Sequence, residues 1–258
     1  FAFVSYHVLM LEGEVKIKYH GDGTFDKAKS RLVCGGHRSV EDVHYYNSST
    51  IKGGAGDDNI RAHNYKYGNE FTHVENSNTS ISGGEGNDYI QVDLHKTASL
   101  QGDAGDDRLY IYDVQSSTLN GGAGSDRLLA NINSYYTTYT SGDRTAAVQT
   151  VLDGGEGNDK LTSKSLGGNH TLKGGSGADT LTATGKNVAL DGGTENDRLY
   201  VSGSLSSNGE TSYIDDGKAT LDGGAGKDDI DIYDFNTSTI SGGTGDDNIN
   251  ANNIMIDI

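Results

Sequence analysis

A chain of 258 residues that is 33% hydrophobic, with no Trp, no Pro and 38 Gly, lacks the material for an ordinary apolar globule, and its composition points to a repetitive architecture. A formal charge of −17 argues against nucleic acid or an anionic membrane as partner, since both would repel it, and invites cations. The single cysteine, Cys34, excludes an internal disulfide framework, and no stretch approaches the roughly 18 apolar residues of a membrane-spanning helix.

At the amino end, Phe1 to Leu11 is apolar but has neither a basic start nor a small-residue cleavage site, and there is no initiator Met. The sequence therefore reads as a piece of a longer polypeptide. Gly21-Asp22-Gly23 and Gly35-Gly36 read as turns of degenerate coils, the second lying 18 residues before Gly53. Residues 1–50 are assigned as an amino-terminal cap, because terminal repeats of a stack are atypical.

From Ile51 to the end a unit recurs nine times. It reads GGAGDDNI at Gly53, GGEGNDYI at Gly83, GDAGDDRL at Gly102, GGAGSDRL at Gly121, GGEGNDKL at Gly154, GGSGADTL at Gly174, GGTENDRL at Gly192, GGAGKDDI at Gly223 and GGTGDDNI at Gly242. An aliphatic residue precedes each unit by two positions, from Ile51 and Ile81 through to Leu221 and Ile240. Another follows two positions after its Asp, from Ile60 and Ile90 through to Ile230 and Ile249. Glycine runs turn the chain sharply, and short alternating flanks read as strands with one buried face. One such coil cannot bury its aliphatics alone, so neighbouring coils have to stack. The expectation is an all-β parallel β-roll solenoid over residues 51–258; at about 4.8 Å per strand, its nine coils make a rod roughly 40 Å long.

The unit-to-unit steps are 30, 19, 19, 33, 20, 18, 31 and 19 residues. Coils of about 19 are the ground state, and an inserted loop arrives every third coil. The inserts carry Tyr65, Tyr67, Tyr135, Tyr136, Tyr139 and Tyr213, a candidate ligand surface, since tyrosine rings stack on sugar faces. After the last unit, Ile254, Met255, Ile256 and Ile258 follow with no polar cap. That leaves a sheet edge free to pair, so either the natural chain continues or rods associate end to end.

The sixth position of every unit is Asp: Asp58, Asp88, Asp107, Asp126, Asp159, Asp179, Asp197, Asp228 and Asp247. Stacked in register, these carboxylates form a column of like charge about 5 Å apart, costly unless a cation sits between them. The carbonyls of Gly53, Gly83, Gly102, Gly121, Gly154, Gly174, Gly192, Gly223 and Gly242 are candidates to complete the cage. Mixed carboxylate and backbone oxygen suits Ca²⁺ better than Mg²⁺, which keeps its waters and demands a tighter octahedron. Nine turns leave eight gaps, hence about eight ions, whose charge would nearly cancel −17.

The pattern GGxGxDxU, U being aliphatic, resembles the haemolysin-type or repeats-in-toxin calcium-binding signature. The resemblance implies a right-handed parallel β-roll, ions shared between adjacent coils, and export through a type I machine followed by folding in external calcium. It implies a secreted or cell-surface protein, structural, adhesive or presenting rather than catalytic, with cell-surface glycan or further domains of the same polypeptide as partners. The family often runs motifs on both edges of the coil. Here the opposite edge reads DVQSST at 113–118 and DFNTST at 234–239, so one calcium ledge is expected. Glu195 replaces a motif glycine beside Asp197 and weakens the expectation there. Spacings of the HExxH and GxSxG kind are absent. A polysaccharide lyase or epimerase assembled across coils is the alternative, with His63, His73 and Arg144 near the tyrosines. Ice binding is disfavoured by charged turn residues such as Glu85, Glu156 and Lys227.

Overall fold

The computed structural model describes residues 30–33, 39–44, 49–63, 78–132, 148–165, 167–207, 210–214 and 216–252. The described residues wind through ten coils of two strands each. The first four are β1 (Ser30–Val33) with β2 (Ser39–His44), β3 (Ser49–Ala55) with β4 (Asn59–His63), β5 (Asn78–Glu85) with β6 (Tyr89–Asp93), and β7 (Thr97–Ala104) with β8 (Arg108–Tyr112). The next three are β9 (Ser116–Ala123) with β10 (Arg127–Asn131), β11 (Gln149–Glu156) with β12 (Lys160–Lys164), and β13 (Asn169–Ser176) with β14 (Thr180–Thr184). In the eighth, β15 (Asn187–Thr194) and β16 (Arg198–Ser202) are followed by an inserted hairpin of β17 (Ser204–Ser207) and β18 (Glu210–Tyr213). The last two are β19 (Lys218–Ala225) with β20 (Asp229–Tyr233), and β21 (Thr237–Ser241) with β22 (Asn248–Asn252).

Two ten-stranded parallel sheets result. One holds the first strand of every coil and the other the second, each strand bonding its counterparts in the neighbouring coils. This is the parallel β-roll expected from the spacing. Register follows the repeat and ignores the inserts: Leu128 pairs with Leu109 on one side and with Leu161 on the other, although the second step spans 33 residues. A slip of one residue would turn every core aliphatic to solvent, so burial pins the register.

The core is a thin double ladder. Ile51, Ile81, Leu100, Leu119, Leu152, Leu172, Leu190 and Leu221 fill one sheet's inner face, and Ile60, Ile90, Leu109, Leu128, Leu161, Leu181, Leu199 and Ile230 the other's. A second inward position on the even strands holds Ala62, Val92, Ile111, Ala130, Ala183, Val201 and Ile232. Phe235 and Val114 plug the opposite edge, and both are buried. The ladder runs out at the last coil, where Ile249 is 46% exposed.

Ahead of the first full unit, β1 pairs with β3 and sets Leu32 opposite Ile51, while β2 pairs with β4 and sets Val40 opposite Ile60. Gly35-Gly36, the proposed turn between them, and Gly21 to Gly23 lie outside the described residues. So do the first two inserts, 64–77 and 133–147, with Tyr65, Tyr67, His73, Tyr135, Tyr136, Tyr139 and Arg144. The third insert is the antiparallel hairpin, in which Tyr213 pairs with Ser204.

Candidate functional site

The turns joining odd to even strands form one ledge along the rod, and every repeat aspartate lies on it. Asp58, Asp88, Asp107, Asp126, Asp159, Asp179, Asp197 and Asp228 are all buried. Asp247, on the last coil, is half-buried. The two oxygens of each carboxylate have different work. Oδ1 accepts the backbone N–H of the same aspartate one coil earlier: Asp88 N–H donates to Asp107 Oδ1, Asp107 N–H to Asp126 Oδ1, and Asp126 N–H to Asp159 Oδ1, each at 2.7 Å. The chain of bonds starts at Asp58 N–H and ends with Asp228 N–H on Asp247 Oδ1 at 3.1 Å. Oδ2 of Asp88, Asp107, Asp126, Asp159, Asp179, Asp197 and Asp228 is buried with no hydrogen-bond partner. Seven orphaned carboxylate oxygens in a row would each carry a desolvation cost with no return.

The first glycine of each unit shows where those oxygens point. A Cβ built on Gly83 would overlap Asp88 Oδ2 and stand 2.8 Å from the carbonyl oxygen of Gly102 on the next coil. The same trio of glycine, its own coil's aspartate and the next coil's glycine carbonyl recurs at Gly53, Gly102, Gly121, Gly154, Gly174, Gly192 and Gly223. At Gly242 only Asp247 is met. Gly83 itself has no left-handed φ, so what it must provide is space. A small cradle lined by hard oxygens is thus repeated eight times.

Electrostatics agree with the geometry. Burial pushes Asp88, Asp126 and Asp179 up to about 6, and Asp107, Asp159 and Asp197 up to about 7. The accepted backbone N–H works against the rise in each case, and nearby carboxylates add to it. Among the described residues no three His, Cys, Asp or Glu side chains gather as a metal cluster. Donors on the ledge are one carboxylate per coil plus main-chain carbonyls, a set suited to Ca²⁺ and not to metals that favour imidazole or thiolate.

Two substitutions interrupt the glycine pattern. Asp103 and Glu195 adopt φ of 76° and 73° where the other units place glycine, a conformation that costs a side chain roughly 1 kcal/mol. Each recovers a contact: Ser82 donates its hydroxyl to Asp103 Oδ2 at 2.5 Å, and Gly177 N–H donates to Glu195 Oε2 at 2.5 Å. Asp197 keeps its place in the ladder, receiving Asp179 N–H at 2.8 Å.

Sequence reasoning overlooked the fifth position of the unit, which seemed merely variable. Its side chains zip the turns in the opposite direction. Asp57 Oδ1 accepts Asn87 N–H, Asn87 Oδ1 accepts Asp106 N–H, and Asp106 Oδ1 accepts Ser125 N–H, at 2.7 to 2.8 Å. Asn158 and Asn196 do the same for Ala178 and Lys227. The signal was there in the preference for Asp, Asn and Ser, whose short side chains reach a neighbouring backbone N–H. A buried polar row was also missed on the inner face: Thr79, Ser117, Thr150 and His170, with His170 Nδ1 2.6 Å from Ser163 Oγ.

The family model for the RTX calcium-binding nonapeptide repeat matches residues 48–64, 75–93, 116–132, 151–163, 171–203 and 237–253. Comparison with curated proteins and with solved structures returned no match. Repeats of this kind bind calcium, and they coincide here with the ledge and its strands. The chain therefore carries RTX calcium-binding repeats across residues 48–253.

Proposed function

We propose that this chain is an exported calcium-dependent rod whose folding and metal loading are one event. The observation that carries the reading is the split carboxylate: Oδ1 closes the coil-to-coil ladder while Oδ2 stays buried and orphaned beside a carbonyl of the next coil. Bound calcium would supply the positive charge that this column lacks. The ligands we assign are Oδ2 of the repeat aspartates from Asp58 to Asp247 and the first-glycine carbonyls from Gly53 to Gly242, with one ion in each gap and about eight in all. Because each cradle uses atoms from two coils, it forms only when the coils stack.

Calcium is scarce inside a bacterial cell and plentiful outside, so such a chain crosses a secretion channel unfolded and stiffens on arrival. The product is a rod that spaces or presents the inserts emerging after every third unit, including the hairpin of β17 and β18. An adhesive or presenting role in a secreted protein follows, with residues 1–50 as a cap. The test is circular dichroism with sedimentation during titration of CaCl₂ out of chelator, with MgCl₂ as control. Conversion of an expanded coil to a compact β-rich rod by calcium alone is expected; a chain already compact and β-rich in chelator refutes the reading.

A further inference from the structure

The outward face of the even-strand sheet carries a charge opposite to that of the whole chain. Residues at the first, third and fifth positions of these strands point out, as the alternating burial of β8, β10 and β12 shows. Across these three adjacent strands the outward residues include Arg108, Arg127, Lys160 and Lys164 and not one acidic residue. Arg108, Arg127 and Lys160 are in direct register, each opposite the next. Like charges directly opposite one another on a sheet are destabilising.

A compensating pair is what the rod builds elsewhere. Arg198, in the same column, lies 3.7 Å from Asp229 and 3.6 Å from Asp231 on the following coil. Among the described residues Arg108, Arg127 and Lys160 have no such partner. Nor does the calcium ledge need a cation at this place, because other coils put Asn59, Tyr89, Thr180, Asp229 or Asn248 there. The column's position is therefore neutral to the fold, and its run of three cations is left to be explained by something outside it.

Half-buried tyrosines adjoin the cations. Tyr110 and Tyr112 stand outward on β8, and Tyr89 meets Tyr110 edge to face with ring centroids 5.4 Å apart. Arg61 stacks 5.1 Å above the Tyr89 ring. Rings held in place by their neighbours present flat apolar faces at little entropic cost. The structure assigns this face, we infer, as a binding surface for a linear acidic polysaccharide, with Arg108, Arg127 and Lys160 pairing its carboxylates and Tyr110 and Tyr112 stacking on its sugar rings. The rungs lie about 4.8 Å apart along the rod, a spacing of the same order as one charge per sugar. Screening confines each patch's influence to about 10 Å, so a narrow single chain lies on this face without meeting the acidic ledge broadside, as a nucleic acid duplex would. The inference rests on the calcium-folded roll proposed above.

The experiment is calorimetric titration of the calcium-loaded chain with a short oligogalacturonate, too short to gel. Its methyl ester, an oligothymidylate and sedimentation of the protein alone serve as comparisons. We expect salt-sensitive binding of the acid form only, weakened about tenfold or more by Arg127→Ser with Lys160→Ser, and several-fold by Tyr110→Ala. Lys173→Ser, on the other sheet, should change nothing. Equal binding by wild type and the double variant, absence of binding, an equal or stronger response to oligothymidylate, or self-association through this face would each overturn the assignment. Circular dichroism of the same samples with and without calcium separates this failure from that of the roll: a calcium-folded chain that ignores the glycan sinks the surface alone.

Discussion

Asp126→Asn, in the middle of the ledge, should change stability in opposite directions with and without calcium. Asn keeps the Oδ1 that accepts Asp107 N–H at 2.7 Å and nearly the same volume, and it removes the charge. In the metal-free roll, burial raises Asp126 from 3.8 to about 6. A folded-state pKa raised in this way means a stability contribution that is complete below the unfolded value and lost as pH rises through the folded one. A shift of about two units corresponds to about 3 kcal/mol. At about pH 8 in chelator the Asn variant should therefore be more stable than wild type by up to that amount, and the difference should shrink as pH falls through about 6 and close only below about pH 4. With calcium the order reverses, because the gap that Asp126 Oδ2 shares with the Gly154 carbonyl loses its charged ligand and the titration midpoint moves to higher calcium. The assay is urea unfolding followed by circular dichroism, in a stabilising osmolyte so that the metal-free roll is populated. If Asp126→Asn destabilises equally in chelator and in calcium, the carboxylate acts only as a hydrogen-bond acceptor and the cradle reading falls.

Other expectations follow from the same geometry. Gly121→Ala places a methyl onto Asp126 Oδ2 and 2.5 Å from the Gly154 carbonyl oxygen; we expect at least about 2 kcal/mol lost in calcium and a broadened calcium transition, both readable by thermal melting. Asp103→Gly relieves a φ of 76° at the expense of the Ser82 contact, so its unfolding free energy from urea titration should stay within about 1 kcal/mol of wild type or rise slightly. Leu128→Ala, at a fully buried rung, should cost about 2 to 5 kcal/mol in urea unfolding with calcium present. Metal-free stability should climb as pH falls from about 7 toward 4, since six buried aspartates with raised values gain protons on folding. Buried His95 and His170, lowered to about 4 by desolvation, oppose this. Their contribution is present above about 6.5 and lost as pH falls through about 4, and they are outnumbered. A metal-free unfolding midpoint that falls on acidification from pH 7 to about 5 contradicts the burial of the column.

Most of the architecture was legible before any coordinates. Glycine spacing, the aspartate at one position and the two flanking aliphatics dictate turn, strand and stacking, because each coil interacts only with its neighbours and the same local chemistry recurs at every step. Even the 33-residue step between Gly121 and Gly154 left the register between β10 and β12 intact, as an insert outside the coil exerts no pull on burial within it. What the sequence left undecided depends on which atoms meet across coils. It placed Asp107 in a column; only the folded chain divides its oxygens between the Asp88 N–H and the cradle. It made the fifth position look indifferent, whereas Asn87 ties its own turn to the next. The net charge of −17 argued against polyanionic partners such as nucleic acid or an anionic membrane. Stacking instead sorts the charge, sending carboxylates to the turn edge and aligning Arg108, Arg127 and Lys160, though 19 and 33 residues apart, on one sheet face. Composition is a sum over the chain, and a surface is a sum over neighbours that only the tertiary structure chooses.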